Sequence, residues 1–329
     1  MIDFIIAWVD DEDPKWRSEF KKYKNQDSGD HSEIRFRDWG TLKYWFRGVE
    51  KFAPWVNKIH FVTQGHIPKW LDINHEKINI VNHHDFIPKK YLPTFNSHTI
   101  ELNFHRINDL SENYVYFNDD MFLISPIDSE FFFKKDLPCD QAALGVIKGN
   151  GIYQHTNLAN LIFIHKYCEP KFSVVLKKPS NWISLKYGLF SIYNIGFLLL
   201  SSFYTGFYNF HLPQPHKKSN LNKLWDLSEV DLDFSCNSKF RDYSSVNQYL
   251  QRYISLTENQ FIPVNMFSRG KMFDVLKNDA NAIFDFITSQ KMPMICINDN
   301  DSILELENKK EIIKKAFDLI LPHKSKFEM

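Results

Sequence analysis

The amino-terminal third of the chain alternates between short apolar runs and amphipathic segments. The apolar runs are rich in β-branched and aromatic residues, which predicts buried strands at 2–9, 58–65, 78–85 and 113–120, the last ending on paired acids. An alternation of strands and helices is typical of an α/β fold with a parallel sheet. We therefore expect a mostly parallel sheet flanked by helices.

Helices are predicted between these strands. Residues 15–24 form a polar helical pattern, and apolar positions recur at helical spacing over 42–52. Residues 96–107 predict a further helix, with Asn96 or Ser97 as its N-cap.

The rest of the chain has weaker periodicity. The apolar segment 192–212 is long enough for a membrane span, but polar side chains interrupt it, which favours buried core elements. Residues 292–301 predict another strand, and 302–321 predict an amphipathic helix before a basic tail that we expect to fray. We predict a single domain over 1–329, with an α/β half (1–130), a mainly helical insertion (131–290) and a closing strand and helix (291–329).

Composition and charge narrow the class of protein. The 329 residues include 40 Lys+Arg and 40 Asp+Glu, so the formal net charge is zero, and aromatic residues make up 16%. These values exclude a disordered chain and a general nucleic-acid binder, which carries a basic excess. The glycine count of 11 excludes collagen-like and linker-like chains. No P-loop and no GxSxG motif occurs, which disfavours P-loop kinases and serine hydrolases.

The cysteines and the first residues bear on the cellular compartment. Scattered cysteines without a CxxC pair argue against a disulfide scaffold or a zinc ribbon; they are Cys139, Cys168, Cys236 and Cys296. The opening MIDFIIAWVD lacks a basic region and predicts a strand rather than a signal peptide. We therefore expect a cytoplasmic protein.

Acidic and amide residues follow several of the predicted strands. Asn118–Asp120 end the strand at 113–120, at the sheet edge where parallel α/β proteins bind ligands. Their oxygen atoms suit Mg²⁺ or Mn²⁺, which commonly bridge to a nucleotide diphosphate; an ordinary Asx-rich turn is the alternative. The cluster at 298–301 repeats the pattern, and the two strand ends could meet in a single sheet.

Three further clusters carry candidate chemistry, each with a plainer alternative. Glu101 lies one helical turn before His105, so the two are an acid–base pair or an ordinary surface pair. Arg35 to Asp38 precede a helix and either bind phosphate or form a solvated charged cluster. The segment 211–218, with two histidines and two lysines, supplies a general base and a phosphate site or is a proline-rich connector.

Taken in order, these motifs resemble the four sequence blocks of the Stealth family. Its members include bacterial capsular polysaccharide phosphotransferases and the animal N-acetylglucosamine-1-phosphotransferase. The matching blocks cover nearly the whole chain and lie at 2–16, at 35–71 with 92–122, at 211–241 and at 295–301. The resemblance implies a GT-A-like (Rossmann-like) fold, in agreement with the predicted α/β class.

The resemblance also implies roles for individual residues. Asp120 matches the acid of the family's Asn-Asp-Asp motif at the metal and the diphosphate, and Glu101 matches an active-site Glu. His211 matches the proposed catalytic His, and Arg241 matches an active-site Arg near the phosphates. Together with the clusters above, we expect the cation at Asp119, Asp120, Asn298 and Asp299, and the nucleotide-sugar at Asp10, Asp13, Arg35, Asp38 and Lys217.

The expected reaction transfers a sugar-1-phosphate from a UDP-sugar to a hydroxyl of a glycan acceptor, in capsular or exopolysaccharide biosynthesis. The product is a phosphodiester, UMP leaves, and Mg²⁺ or Mn²⁺ is the expected cofactor. Peripheral contact with the inner face of the membrane is compatible with an aromatic surface or with the basic tail, but a solvated helix face is the favoured interpretation of these residues. Two alternatives stay open: a GT-A-type glycosyltransferase that releases UDP, and a non-catalytic sugar- or nucleotide-binding module.

Overall fold

The computed structural model describes residues 1–25, 29–299 and 306–329. Its strands are β1 (Ile2–Ala7), β2 (Ile59–Thr63), β3 (Ile78–Asn82), β4 (Asn113–Phe117), β5 (Met121–Leu123), β6 (Phe133–Lys134), β7 (Leu137–Asp140), β8 (Gln214–Lys217), β9 (Ile262–Pro263), β10 (Gly270–Asp274) and β11 (Met294–Asn298). Its helices are α1 (Pro14–Lys24), α2 (Leu42–Phe52), α3 (His83–Phe86), α4 (Ser97–Leu102), α5 (Gly151–Tyr167), α6 (Lys171–Lys177), α7 (Pro179–Trp182), α8 (Phe190–Leu200), α9 (Lys218–Leu227), α10 (Glu229–Asn237), α11 (Tyr249–Thr257), α12 (Ala280–Ser289) and α13 (Leu306–Ile320).

The central sheet confirms the predicted α/β class. Within the described residues its strand order is β3-β2-β1-β4-β8. The strands β1 to β4 run parallel to one another, and β8 runs antiparallel to β4. The carboxyl ends of β1 to β4 therefore lie at one edge of the sheet, and the segment 131–290 supplies the additional helices that were predicted.

Alternation of side chains along β1 divides the core into two halves. Phe4 and Ile6 belong to the core cluster that contains Phe46 of α2, whereas Ile5 belongs to the cluster that contains Leu250 of α11. Because successive side chains of a strand point to opposite faces, both faces of the sheet are covered by helices.

A second sheet brings the two acidic strand ends together. It has the order β10-β11-β5, and β11 runs antiparallel to β5, with Cys296 opposite Met121. The backbone N–H of Ile297 donates to the carbonyl of Asp120 at 2.9 Å. The expectation that the two strand ends meet in a single sheet is therefore wrong, because β5 does not pair with β4 and belongs instead to the second sheet. Residues 300 and 301 of the second acidic cluster lie outside the described residues.

The predicted helix at 96–107 is interrupted. Asn96 is the N-cap, as predicted, and accepts a hydrogen bond from the backbone N–H of His98. The helix ends at Leu102 because the side chain of Asn103 bonds back to the carbonyl of Thr99, and a 3-10 turn follows.

The C-terminal tail and α8 both depart from the sequence-based expectations. The tail is folded onto the domain: Phe327 is buried, and Glu328 binds Arg47 of α2 through two hydrogen bonds of 2.8 Å. The segment 192–212 is not wholly buried, because Ile192, Tyr193 and Leu199 of α8 face solvent while Asn194 is fully buried. No helix among the described residues is long and apolar enough to cross a membrane.

Candidate active site

The carboxyl edge of the central sheet opens into a cleft of about 290 Å³. Residues that follow β1, β2 and β4 line it, together with the loop before α2, the end of β11 and the segment before β8. The predicted site residues in its lining are Arg35, Asp38, Asp119, Asp120, His211, Arg241, Asn298 and Asp299. Distant parts of the sequence therefore share one cleft.

The acidic side of the cleft begins directly after β4. Desolvation and the nearby carboxylates of Asp120 and Asp38 raise the pKa of Asp119 to about 8. Oδ2 of Asp120 accepts a hydrogen bond from Sγ of Cys296 at 3.3 Å and lies 3.7 Å from Nε2 of His211. The carboxylates repel one another, and a bound cation would relieve this repulsion.

Two carboxylate oxygens in the cleft are suited to a metal ligand role. Oδ1 of Asp120 and Oδ1 of Asp299 are buried and have no hydrogen-bond partner among the described residues. Buried polar atoms are rarely left without a partner, and hard cations such as Mg²⁺ bind carboxylate oxygens and water. The ligand atoms of Asp120, His211 and Cys296 also lie within 4.8 Å of one another. The donor set fits a divalent cation.

The second acidic segment is fixed by the loop before α2. Oδ2 of Asp299 accepts hydrogen bonds of 2.9 Å from the guanidinium of Arg37 and from the indole of Trp39. These two bonds orient the carboxylate and leave Oδ1 for a ligand. Asn298 lines the same wall of the cleft.

His211 reaches the cleft because β8 is antiparallel to β4. Gln214, at the start of β8, lies opposite Tyr116 near the carboxyl end of β4. The residues before Gln214 therefore emerge at the cleft, and the side chain of His211 is 29% exposed there. An imidazole beside a carboxylate can accept a proton, because the carboxylate stabilises the imidazolium that forms.

The same antiparallel register removes Lys217 from the cleft. Lys217 lies opposite Asn113, at the start of β4 and thus at the far end of the sheet, and its ammonium lies 3.6 Å from Glu112. The prediction that Lys217 binds the nucleotide-sugar is therefore wrong. Part of the proline-rich segment 211–218 is the strand β8, which extends from the cleft toward the opposite end of the sheet.

Asp10 and Asp13 lie in the turn after β1 and do not line the cleft. Asp13 is the N-cap of α1 and accepts a hydrogen bond from the backbone N–H of Trp16 at 2.7 Å. Asp10 accepts one from the backbone N–H of Glu12 at 3.0 Å. Both carboxylates stabilise local backbone, and a role in donor binding stays a prediction for them.

Arg241 is positioned by an aromatic cluster. The preceding residue, Phe240, is buried, and its ring stacks on Phe95 with 5.3 Å between centroids. The carbonyl of Arg241 accepts a hydrogen bond from the backbone N–H of Asp30 at 2.8 Å. The guanidinium donates to Oγ of Ser97 from Nε at 3.2 Å and from Nη2 at 2.8 Å. The backbone and the side chain of Arg241 are thus both fixed at the cleft.

Two arginines in the lining of the cleft lie close enough to each other to interact. Burial and the guanidinium of Arg35 lower the pKa of Arg241. Arg35 forms an ion pair with Asp30. Neighbouring guanidinium groups repel each other unless an anion lies between them, and their planar donors suit phosphate oxygens. This pair of arginines therefore fits the phosphates of a ligand.

Asp38 lies in the loop before α2 and lines the cleft. Burial raises the pKa of Asp38, and the charge of Asp10 adds to this effect, whereas a hydrogen bond from the backbone N–H of Gly40 lowers it. Asp38 thus joins the acidic side of the cleft that carries Asp119.

Glu101 lies behind the arginines and does not line the cleft. It is buried, and its carboxylate accepts hydrogen bonds from the hydroxyl of Tyr116 at 3.4 Å and from the backbone N–H of Gln248 at 3.3 Å. Burial raises the pKa of Glu101 to about 7, against the lowering effect of the charge of Arg241. The predicted Glu101–His105 pair does not form among the described residues, because the break in the helix lets His105 pack beside Trp225.

Three residues that contact the predicted site residues are not themselves predicted as site residues from the sequence. Asp30 pairs with Arg35, Ser97 binds Arg241, and Cys296 binds Asp120. The sequence signals for Cys296 are its place in the block 295–301 and on the strand that leads to the second acidic cluster. Pairing of β11 with β5, which brings it to Asp120, is a long-range contact that no local pattern encodes.

The cleft of this α/β protein combines carboxylates that fit a divalent cation with guanidinium groups that suit phosphate oxygens. A model of the Stealth protein conserved region 2 matches residues 35–140. The chain is 39% identical over 331 residues to the capsular polysaccharide phosphotransferase WcwK of Streptococcus pneumoniae, covering 99% of this chain and 98% of that protein. It is 37% identical to the receptor polysaccharide phosphotransferase WefC of Streptococcus gordonii, covering 100% and 99%.

The chain belongs to the Stealth family and is an enzyme of the phosphotransferase class. The predicted family and the predicted enzyme class are confirmed. Among solved structures, the galactosyltransferase LgtC in complex with donor and acceptor sugar analogues is similar, with a TM-score of 0.41 and 10% sequence identity over 95% of each chain.

Proposed function

We propose that this protein transfers a sugar-1-phosphate from a UDP-sugar to a hydroxyl of a glycan acceptor in capsular or exopolysaccharide biosynthesis. A phosphodiester forms and UMP leaves. The observation that carries the proposal is the presence of Asp120, His211 and Arg241 in one cleft. The chain's relatives over its full length are named polysaccharide phosphotransferases, which supports the same reaction.

The carboxylates and the arginines of the cleft support binding of the donor diphosphate. Mg²⁺ or Mn²⁺ would be held by Asp120 and Asp299 through their unpartnered oxygens, with Asp119 and Asn298 beside them. When bound, the cation supplies charge neutralisation on the diphosphate. Arg35 and Arg241 would contact the phosphate oxygens.

The transfer step needs a base for the acceptor hydroxyl. His211 accepts the hydroxyl proton at Nε2, and the carboxylate of Asp120, 3.7 Å away, stabilises the imidazolium. The acceptor oxygen forms a bond to the β-phosphorus, the bond from this phosphorus to the bridging oxygen breaks, and the electron pair leaves with UMP. Arg241 stabilises the negative charge on the phosphoryl oxygens in the transition state.

Glu101 is a positioning residue in this proposal, because it acts on Arg241 from the buried side of the cleft. The α/β half (1–130) would bind the donor together with Arg241 and Asp299, and the insertion (131–290) would otherwise face the acceptor. The location at the inner face of the membrane belongs to the same proposal. Exposed apolar side chains of the helical region support this peripheral contact.

The released nucleotide tests the reaction directly. The protein is incubated with Mg²⁺, a glycan acceptor and a panel of UDP-sugars labelled at the β-phosphorus, and the products are identified by mass spectrometry. We expect UMP and a glycan that carries the labelled phosphorus. Release of UDP with an unlabelled glycan would instead support a glycosyltransferase. A donor that binds but yields neither nucleotide with any acceptor would favour a binding module.

A further inference from the structure

Helix α8 exposes several large apolar side chains although it buries a polar one. Asn194 is fully buried, and its side chain is bonded to two backbone carbonyls and one backbone N–H; Leu198 is the buried apolar residue of the helix. In contrast, Ile192 is 67% exposed, Tyr193 64% and Leu199 81%. A surface helix of a globular domain normally buries most of its apolar side chains. The exposed apolar side chains of α8 therefore favour an apolar environment outside the domain.

Segments before and after α8 extend this surface. Leu185, Leu189 and Phe203 are largely exposed, as is Leu176 of α6. Lys171, also in α6, is buried and donates to carbonyls at the carboxyl end of α8, which holds the two helices together. Monomeric proteins seldom expose a continuous apolar patch larger than a few hundred Å². We name as the apolar face Leu176, Leu185, Leu189, Ile192, Tyr193, Leu199, Leu200 and Phe203.

The sequence around the apolar face contains lysine but no acidic residue. Positions 170–225 include no Asp and no Glu, although 40 of the 329 residues are acidic, a frequency at which about seven would be expected there. Lys178 and Lys186 are exposed within this stretch, next to the apolar face in sequence. Neither has an acidic partner within 4 Å in the described part of the chain. The surface is thus both apolar and positively charged.

We propose that the apolar face docks on an anionic membrane surface, with α8 lying in the plane of the interface. The helix has 11 residues and no described helix can cross a membrane, so contact is peripheral. The apolar side chains enter the boundary of the acyl chains, and the lysines contact lipid phosphates. This inference rests on the proposed function, because it assigns the membrane contact of that function to the apolar face. Vesicle binding requires neither donor nor acceptor, so the two proposals can fail separately.

Vesicle co-sedimentation of the full chain tests the surface. We expect the protein to bind vesicles of phosphatidylcholine with phosphatidylglycerol, and to bind pure phosphatidylcholine more weakly. The variant Leu185→Gln/Ile192→Gln/Leu199→Gln should weaken binding by about tenfold or more, because three apolar anchors are lost. The variant Lys178→Gln/Lys186→Gln should lose the preference for anionic vesicles and its dependence on salt.

Matched controls separate docking from folding. The variant Val230→Gln/Leu319→Gln changes two exposed apolar residues outside the apolar face and should bind like the wild type. Circular dichroism checks that the triple variant is folded, and Leu185→Gln alone replaces it if it is not. The proposal would be overturned if the wild type bound neither type of vesicle, or if a folded triple variant bound anionic vesicles as tightly as the wild type. A wild-type protein that is a dimer in sedimentation velocity, together with a triple variant that is a monomer, would also overturn the proposal. The apolar face would then be a protein interface.

Discussion

Nε2 of His211 lies 3.7 Å from Oδ2 of Asp120 in the cleft. This separation exceeds a hydrogen bond, so the imidazole is not committed to the carboxylate and can accept a proton from a hydroxyl. It is also short enough for the carboxylate to stabilise the imidazolium, because two opposite charges at about 4 Å attract even near a protein surface.

Replacement of His211 tests its role as base. We expect His211→Ala to lower turnover by about a hundredfold or more, because a general base contributes at least this factor, while the fold is retained. Asp120→Ala should lose most turnover as well. The measurement is UMP release, with thermal melts to check folding. His323→Ala, at an exposed position outside the cleft, is the control and should keep the wild-type rate. Near-normal turnover in His211→Ala would refute the assignment.

Addition of a divalent cation should stabilise the folded protein without any substrate. Mg²⁺ at about a hundred times its Kd would add roughly 3 kcal/mol to the free energy of unfolding. The Asp120→Asn variant should show a much smaller increase in Tm, because it removes the oxygen charge at the centre of the acidic side. Asp128→Asn, an exposed position, should respond like the wild type. Chelation by EDTA should abolish turnover, and an undiminished Tm response in Asp120→Asn would show that the ion binds elsewhere.

The burial of Glu101 makes stability depend on pH. Burial raises the pKa of Glu101 from 4.5 to about 7 in the folded protein, so the folded state binds this proton more tightly than the unfolded chain. The free energy of unfolding therefore falls as the pH rises between these two values, by roughly 3 kcal/mol at about 1.4 kcal/mol per pKa unit. Glu101→Gln removes the titration and should lose less stability over this range.

Urea unfolding at about pH 5 and about pH 8 measures the difference between wild type and Glu101→Gln. Groups that titrate in both proteins cancel in this comparison. Glu130→Gln changes an exposed carboxylate, 70% accessible, and should leave the pH dependence of the wild type intact. The same loss of stability in Glu101→Gln as in the wild type would mean that Glu101 is ionised throughout.

Arg241 and Lys217, which the sequence predicts as two of the basic residues of the site, should behave differently when they are replaced. Arg241→Lys keeps the charge but cannot keep both hydrogen bonds to Ser97, so we expect turnover to fall by about tenfold or more. Lys217→Ala should change turnover by less than about twofold, since Lys217 lies at the far end of the sheet beside Glu112. Steady-state kinetics with varied donor measures both. Equal losses in the two variants would contradict the antiparallel register of β8.

Local patterns account for what the sequence predicts well. The strands β1 to β4 follow from apolar runs and α2 follows from helical spacing, because both depend on residues close in the chain. The acidic turn after β4 follows from the end of a strand. The positions of Cys296 and Lys217 could not be predicted, because they depend on which strands pair and in which direction, and a change of direction moves a side chain to the other end of the sheet.

Tertiary contacts also override local patterns at two helices. The segment that contains α8 is apolar enough to predict burial, yet the domain buries Asn194 there and leaves Leu199 and Leu200 exposed to solvent. The basic tail after α13 predicts fraying, yet Glu328 in this tail forms hydrogen bonds with the buried Arg47. The amino-acid pattern describes how apolar a segment is, whereas the partner that covers it comes from elsewhere in the chain.

The ion pair between Arg47 and Glu328 should make the tail a stabilising element. The two side chains are only 10% and 4% exposed and share two hydrogen bonds. Glu328→Ala leaves a buried guanidinium without its carboxylate, so we expect the free energy of unfolding to fall by about 3 kcal/mol. Urea unfolding followed by tryptophan fluorescence measures this change. The control Glu307→Ala removes a carboxylate that is 82% exposed and pairs with Lys310, and it should cost less than about 1 kcal/mol. Equal effects of the two variants would mean that the tail is not docked in solution.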